Sequence, residues 1–90
     1  MKTFNDLEFK PHSNMNGVMS RIEFENGYGA SVVKGEYTYG GDQGLYELAV
    51  LDSNGDLTYD TPITNDVLGH LSEDDVTEVL KEIQLLPNEQ

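Results

Sequence analysis

The side chains with most chemical potential are the carboxylates of the last third of the chain. Glu73, Asp74, Asp75, Glu78 and Glu82 fall close together, with Lys81 the only cation among them. Asp74 and Glu78, and again Glu78 and Glu82, are four residues apart, so on a helix like charges stack along one side. Each such pair costs about a few tenths of a kcal/mol. Two readings follow. The row is a solvated face that keeps a small protein soluble, or it is a surface that draws in a basic partner and occupies the groove meant for a phosphate backbone.

The other constellations carry less. His12 and His70 are the only histidines, and neither stands at a spacing that ties it to Ser13, Ser31 or a carboxylate pair, as acid–base or nucleophilic catalysis needs. No motif sets two carboxylates about a glycosidic bond. No catalytic residue is assigned, and the chain is expected not to be an enzyme. Asp52-Ser53-Asn54-Gly55-Asp56, with Asp60, imitates the start of a calcium loop. However, Leu57 stands where the loop glycine belongs and Ile63 where the closing glutamate belongs. A hairpin turn accounts for the same residues, so no metal site and no cofactor is expected. The glycine-rich run 35–44 lacks the lysine and helix start of a phosphate loop and carries Asp42 in its middle. Beside those glycines stand Tyr37, Tyr39 and Tyr46, which either supply contact area to a partner or simply follow strand propensity.

These residues need elements to hold them. Alternation over residues 6–10, stopped by Pro11, predicts a short edge strand, and residues 12–17 read as a turn. Residues 18–24 and 28–34 read as two strands joined by Asn26-Gly27, a pair that favours the positive φ angles of a tight hairpin. Residues 45–51 form a central strand. Asn54-Gly55 turns the chain again, and residues 57–60 return as a fourth strand before Pro62. Residues 65–69 read as one helical turn capped by Asn65 and ended by Gly69. The clear helix follows. Ser72 caps it, Asp75 stands three residues on as in a capping box, and Val76, Val79, Leu80, Ile83 and Leu86 recur at helical spacing until Pro87. The expected fold is α+β: one domain spanning residues 1–90, a four- or five-stranded antiparallel sheet with one C-terminal helix packed on a face.

Composition bounds the function. The 90 residues hold 17 acids and 5 bases, a net charge of −12, with 37% hydrophobic residues and no cysteine or tryptophan. Absence of cysteine excludes disulfides, thiolate nucleophiles and Cys-based zinc sites. No apolar run approaches the ~20 residues that span a bilayer, and residues 1–10 lack the apolar stretch of a signal peptide. A cytoplasmic address is expected. So much negative charge opposes direct contact with nucleic acid or anionic membrane. The imbalance is uneven: net −4 over residues 1–55 and −8 over residues 56–90.

Asn26-Gly27-Tyr28-Gly29 followed by Ser31-Val32-Val33, then Tyr39-Gly40-Gly41 and Gly44-Leu45-Tyr46-Glu47-Leu48-Ala49-Val50, resembles a family of small proteins encoded by tailed bacteriophages. The later Tyr59-Asp60-Thr61-Pro62-Ile63-Thr64, Asp66-Val67 and Gly69-His70-Leu71 are similar to the same family, so the likeness runs from about residue 7 to residue 86. No activity, cofactor or catalytic residue comes with it. It implies a context: an accessory protein in the cytoplasm of an infected bacterium. With the charge layout, the expectation is a protein that binds a basic host protein through Glu73, Asp74, Asp75, Glu78 and Glu82, with Tyr37, Tyr39 and Tyr46 as further contact residues. It would thereby inhibit a nucleic-acid-handling or defence factor by nucleic-acid mimicry. A nucleotide-binding protein using the tyrosine–glycine loop, and a structural or virion-associated subunit, are the alternatives. A homodimer through a strand edge is a further expectation.

Overall fold

Two turns of the same design set the sheet. In the computed structural model, which describes residues 1–13, 16–64 and 66–88, the Phe24 N–H donates to the Tyr28 carbonyl at 2.8 Å and the Gly27 N–H to the Phe24 carbonyl at 3.1 Å. Asp52, Gly55 and Asp56 repeat this pattern at 2.8 and 3.0 Å. Only the glycines, at φ 92° and 81°, take positive φ. These are three-residue loops closed by a left-handed glycine, rather than two-residue turns with Asn and Gly both left-handed.

The strands are β1 (Lys10–Pro11), β2 (Gly17–Glu23), β3 (Gly29–Gly35), β4 (Tyr46–Leu51) and β5 (Leu68–Leu71), followed by α1 (Glu73–Gln84). They form one antiparallel sheet in the order β1-β2-β3-β4-β5, the expected α+β arrangement with five strands. Register places Ile22 opposite Ala30, Ala30 opposite Val50, and Val32 opposite Leu48. That face meets Val76, Val79, Leu80 and Ile83 of α1, and all of these except the half-buried Ile22 are buried.

Three expectations change. Residues 6–9 are not a strand. Phe4–Asp6 make one 3-10 turn and the chain then crosses as a strap, with Phe4, Leu7 and Phe9 packed on the core. Alternating polarity served burial here without a ladder. Phe4 and Phe9 close on Tyr46, with ring centroids at 5.1 and 5.5 Å, and the Lys34 ammonium lies 4.9 Å from the Tyr46 ring centre. Residues 57–60 are not a strand either: Leu57 makes a single bridge to Leu51, and the Thr58 N–H donates to the Val50 carbonyl. β5 takes the rest of that edge of β4. It takes Leu68 and Gly69 from the expected helical turn of residues 65–69, because pairing of Leu71 with Tyr46 and Leu68 with Leu48 outweighs a weak local helix signal. The proposed Asn65 cap, and Asn14 and Met15 of the expected turn, lie outside the described residues.

Close approach explains why small residues stand where β5 meets the loop after β3. A Cβ on Gly69 would run into that of Tyr39, and one on Gly40 (φ 91°) would come within 2.8 Å of the His70 Cα. The His70 N–H donates to the Tyr39 carbonyl at 3.0 Å. His70 itself sits at φ 56°, the one non-glycine with positive φ among the described residues, at the irregularity in the β4 to β5 register.

The helix ends without its own C-terminal glycine. Asn26, at the tip of the β2 to β3 hairpin, supplies the missing donor instead. Its Nδ2 donates to the carbonyls of Ile83 (2.8 Å) and Leu86 (3.1 Å), while its Oδ1 accepts from the Tyr28 N–H at 3.1 Å. Terminal helix carbonyls need such partners. Asn26→Asp turns the donor into a carboxylate facing two carbonyls at the negative end of the helix dipole, and should cost about 2–3 kcal/mol in urea denaturation. An unchanged midpoint and slope would show that the latch contributes nothing.

Candidate protein-binding surface

The acidic surface is built by what α1 must bury. With Val76, Val79, Leu80 and Ile83 committed to the sheet, the step of about 100° per residue carries Asp74, Asp75, Glu78 and Glu82 to the far side. All four are exposed. A second flank belongs to the strap. There the Thr77 hydroxyl oxygen accepts the Phe4 N–H at 3.0 Å, and Gln84 exchanges two hydrogen bonds with the backbone of Lys2 at 2.9 and 2.8 Å. By the same step Glu73, also exposed, lies toward this flank and apart from the other four.

The N-terminal carboxylates have structural partners of different kinds. Ser72 Oγ accepts the Asp75 N–H at 3.1 Å, and Asp75 Oδ2 accepts the Ser72 N–H at 3.0 Å, completing the capping box. Glu73 and Asp74 sit beside it in the first turn, where the dipole favours negative charge. Further along, Glu78 meets Lys81 at 3.9 Å, both side chains well exposed. A pair this open contributes little. Among the described residues no other lysine or arginine pairs with a carboxylate, so none from another element neutralises the row.

The three tyrosines separate. Tyr37 and Tyr39 are 80% and 62% exposed, whereas Tyr46 is buried at 8%. The assignment of Tyr46 to a partner surface is therefore corrected: as the first residue of β4 on the helix-facing side, its ring fills the space between Phe4, Phe9 and Lys34. The remaining two are well placed. Tyr39 bonds His70, three residues before Glu73, so the tyrosine loop borders the start of the acidic helix. The loop is internally tied, since Thr38 exchanges hydrogen bonds with Gly35, and Glu47 accepts the Tyr39 N–H at 3.1 Å. The contact between this loop and β5, invisible to local patterning, is the feature of the surface that sequence reasoning missed.

The remaining motifs resolve into structure. Asp52 Oδ1 accepts the N–H groups of Asn54 and Asp56 at 2.9 and 3.1 Å, which is turn chemistry. No group of three or more metal-ligating side chains converges among the described residues. Two open grooves, of about 840 and 610 Å³, both run beside Lys2, Asp6 and Glu23 rather than the tyrosine loop. No helix of the described residues is long and apolar enough to cross a membrane.

Comparison with known proteins found no matching family model, no similar curated protein and no similar solved structure.

Ser72→Ala should destabilise the protein by about 1 kcal/mol through loss of the cap, read as a lower urea midpoint; an unchanged midpoint would mean that the capping box adds nothing. Added sodium chloride should raise the urea midpoint, because self-repulsion at net −12 is screened. A midpoint that falls with salt would show that attractive pairs dominate instead.

Proposed function

We propose that this chain is a non-enzymatic accessory protein of a tailed bacteriophage, acting in the cytoplasm of its host. There its acidic helix docks on a basic patch of a nucleic-acid-handling or defence protein and blocks it by mimicking nucleic acid. The observation that carries this reading is the outward row Asp74, Asp75, Glu78 and Glu82, met only by Lys81 from the same helix. The row spans about 12 Å of helix axis at 1.5 Å per residue. Its density, roughly one carboxylate per 3–4 Å, is close to the one phosphate per ~3.4 Å of a single DNA strand. Tyr37 and Tyr39 add rigid contact area at its margin.

A nucleotide ligand is less well supported, because each open groove sets three carboxylates (Asp6, Glu23 and either Glu25 or Glu8) against fewer cationic side chains, Lys2 in one and Lys2 with Arg21 in the other. A second copy of the chain has an observation in its favour. β1 covers β2 only at Val18 and Met19, and by alternation from the Phe24 to Tyr28 bond the backbone groups of Arg21 and Glu23 point off the sheet edge. A two-fold axis at Ile22 would set Arg21 of each copy opposite Glu23 of the other. Sedimentation decides: a monomer mass at every concentration removes the dimer.

The test of the main reading is capture from bacterial lysate on immobilised protein at low and high salt. A basic nucleic-acid-binding protein should be held at low salt, released at high salt and by competing DNA, and not bound by the double variant Asp74→Lys, Glu78→Lys. Exposed charges are screened over ~10 Å at 0.1 M. Recovery of no basic protein at either salt, or equal recovery by the reversed variant, overturns the reading.

A further inference from the structure

Two hairpin loops of identical backbone design carry the same dipeptide in opposite chemical situations. In both, an Asn-Gly pair ends a three-residue loop, the glycine is left-handed (φ 92° and 81°), and the glycine N–H is held by the carbonyl three residues back, at 3.1 and 3.0 Å. The asparagine side chains differ. Asn26 is half-buried, and its carboxamide makes three hydrogen bonds, to Ile83, Leu86 and Tyr28. Asn54 is exposed, and its carboxamide bonds no other described residue; only its backbone N–H is engaged, by Asp52.

We infer that Asn54 is a site of spontaneous deamidation and that the fold protects Asn26 from the same reaction. The Gly55 backbone nitrogen loses its proton and attacks Asn54 Cγ. A C–N bond forms, the Cγ–Nδ2 bond breaks, and Nδ2 leaves as ammonia, giving a five-membered succinimide. Water then opens the ring at either carbonyl, to aspartate or to the β-linked isoaspartate. Glycine is what makes the attack feasible, since no Cβ hinders approach and its φ and ψ are the freest. The other requirement is a carboxamide that can swing toward the next nitrogen. Asn54 meets it in the fold, where only the Gly55 N–H must leave the Asp52 carbonyl, a release that Gly27 needs from Phe24 as well. Asn26 must first release three bonds, and with them the end of α1, so its reactive geometry lies behind a local opening.

The consequences also differ. A carboxylate at position 54 joins Asp52 and Asp56 on an exposed turn beside the Arg21 guanidinium, which donates to the Gly55 carbonyl at 2.6 Å. The same conversion at position 26 would unlatch the helix. The third such pair, Asn16-Gly17, leads into β2 with both backbone groups of Asn16 engaged by Glu36, and takes no part in the comparison.

The experiment is incubation of the folded protein in mildly alkaline buffer made with ¹⁸O-labelled water, followed by peptide mapping. Cleavage at Arg21, Lys34 and Lys81 puts Asn26 and Asn54 on separate peptides, and fragmentation localises the change. The expected result is labelled aspartate and isoaspartate at position 54, formed at least about ten-fold faster than at position 26. The two rates should converge in urea, and Asn54→Ser should remove the products from its peptide. Three results would overturn the inference: an Asn54 that stays intact in the fold but converts in urea, an Asn26 that converts as fast as Asn54 in the fold, or a rate difference that persists in urea.

Discussion

One apolar seam holds the molecule together. Val76, Val79, Leu80 and Ile83 lie against Ala30, Val32, Leu48 and Val50, and almost every one of them is closed to solvent. Each fully buried side chain of this size contributes about 1.5–3 kcal/mol, and a domain of this length has few others. The seam decides which side of α1 faces water, so it also decides where the carboxylates go. Strap, latch and loop are arranged around it: the strap closes one flank of the helix, Asn26 holds its far end, and β5 with the tyrosine loop leads into its start.

The same seam works against the net charge. Carboxylates crowd the helix while its apolar stripe binds it to the sheet, and several of the few cations are engaged within the fold. Arg21 donates to the Gly55 carbonyl, Lys34 lies over Tyr46, and Lys81 reaches Glu78. None of these cations crosses to the acidic row from another element. Asp75 and Ser72 show how a carboxylate can stabilise the helix locally while adding to its repulsion globally.

Most of the fold was legible because its signals are local. Ser72 with Asp75, and the 3.6-residue spacing from Val76 to Ile83, mark α1 without help from the rest of the chain. Asn26-Gly27 and Asn54-Gly55 mark the two hairpin loops, although each loop proved one residue longer than a tight turn. What sequence could not show depends on contacts between distant residues. Leu68 and Leu71 become strand because Leu48 and Tyr46 offer an open edge, and His70 adopts a left-handed backbone there because Gly40 leaves room for it. The alternation of Leu7 and Phe9 is real but serves a strap. Asp74, Asp75, Glu78 and Glu82 were readable as an outer row from the apolar stripe alone, whereas Glu73, read with them, lies toward the strap. Tyr46 was not readable as core, since only the fold brings Phe4 and Phe9 onto its ring.

The strap and the first three strands carry Lys2, Lys10, Arg21 and Lys34, while the outer side of α1 carries the carboxylate row. The molecule is therefore electrically lopsided. Near a positively charged surface, whether a resin bead or another macromolecule, it should turn before it touches, led by residues 36–84, which hold twelve acids against Lys81 alone. A lopsided charge of this kind narrows the set of productive approach angles before any contact forms. Orientation in the encounter is thus set by the uneven placement of charge along the chain, as much as by the shape of the surface that finally meets it.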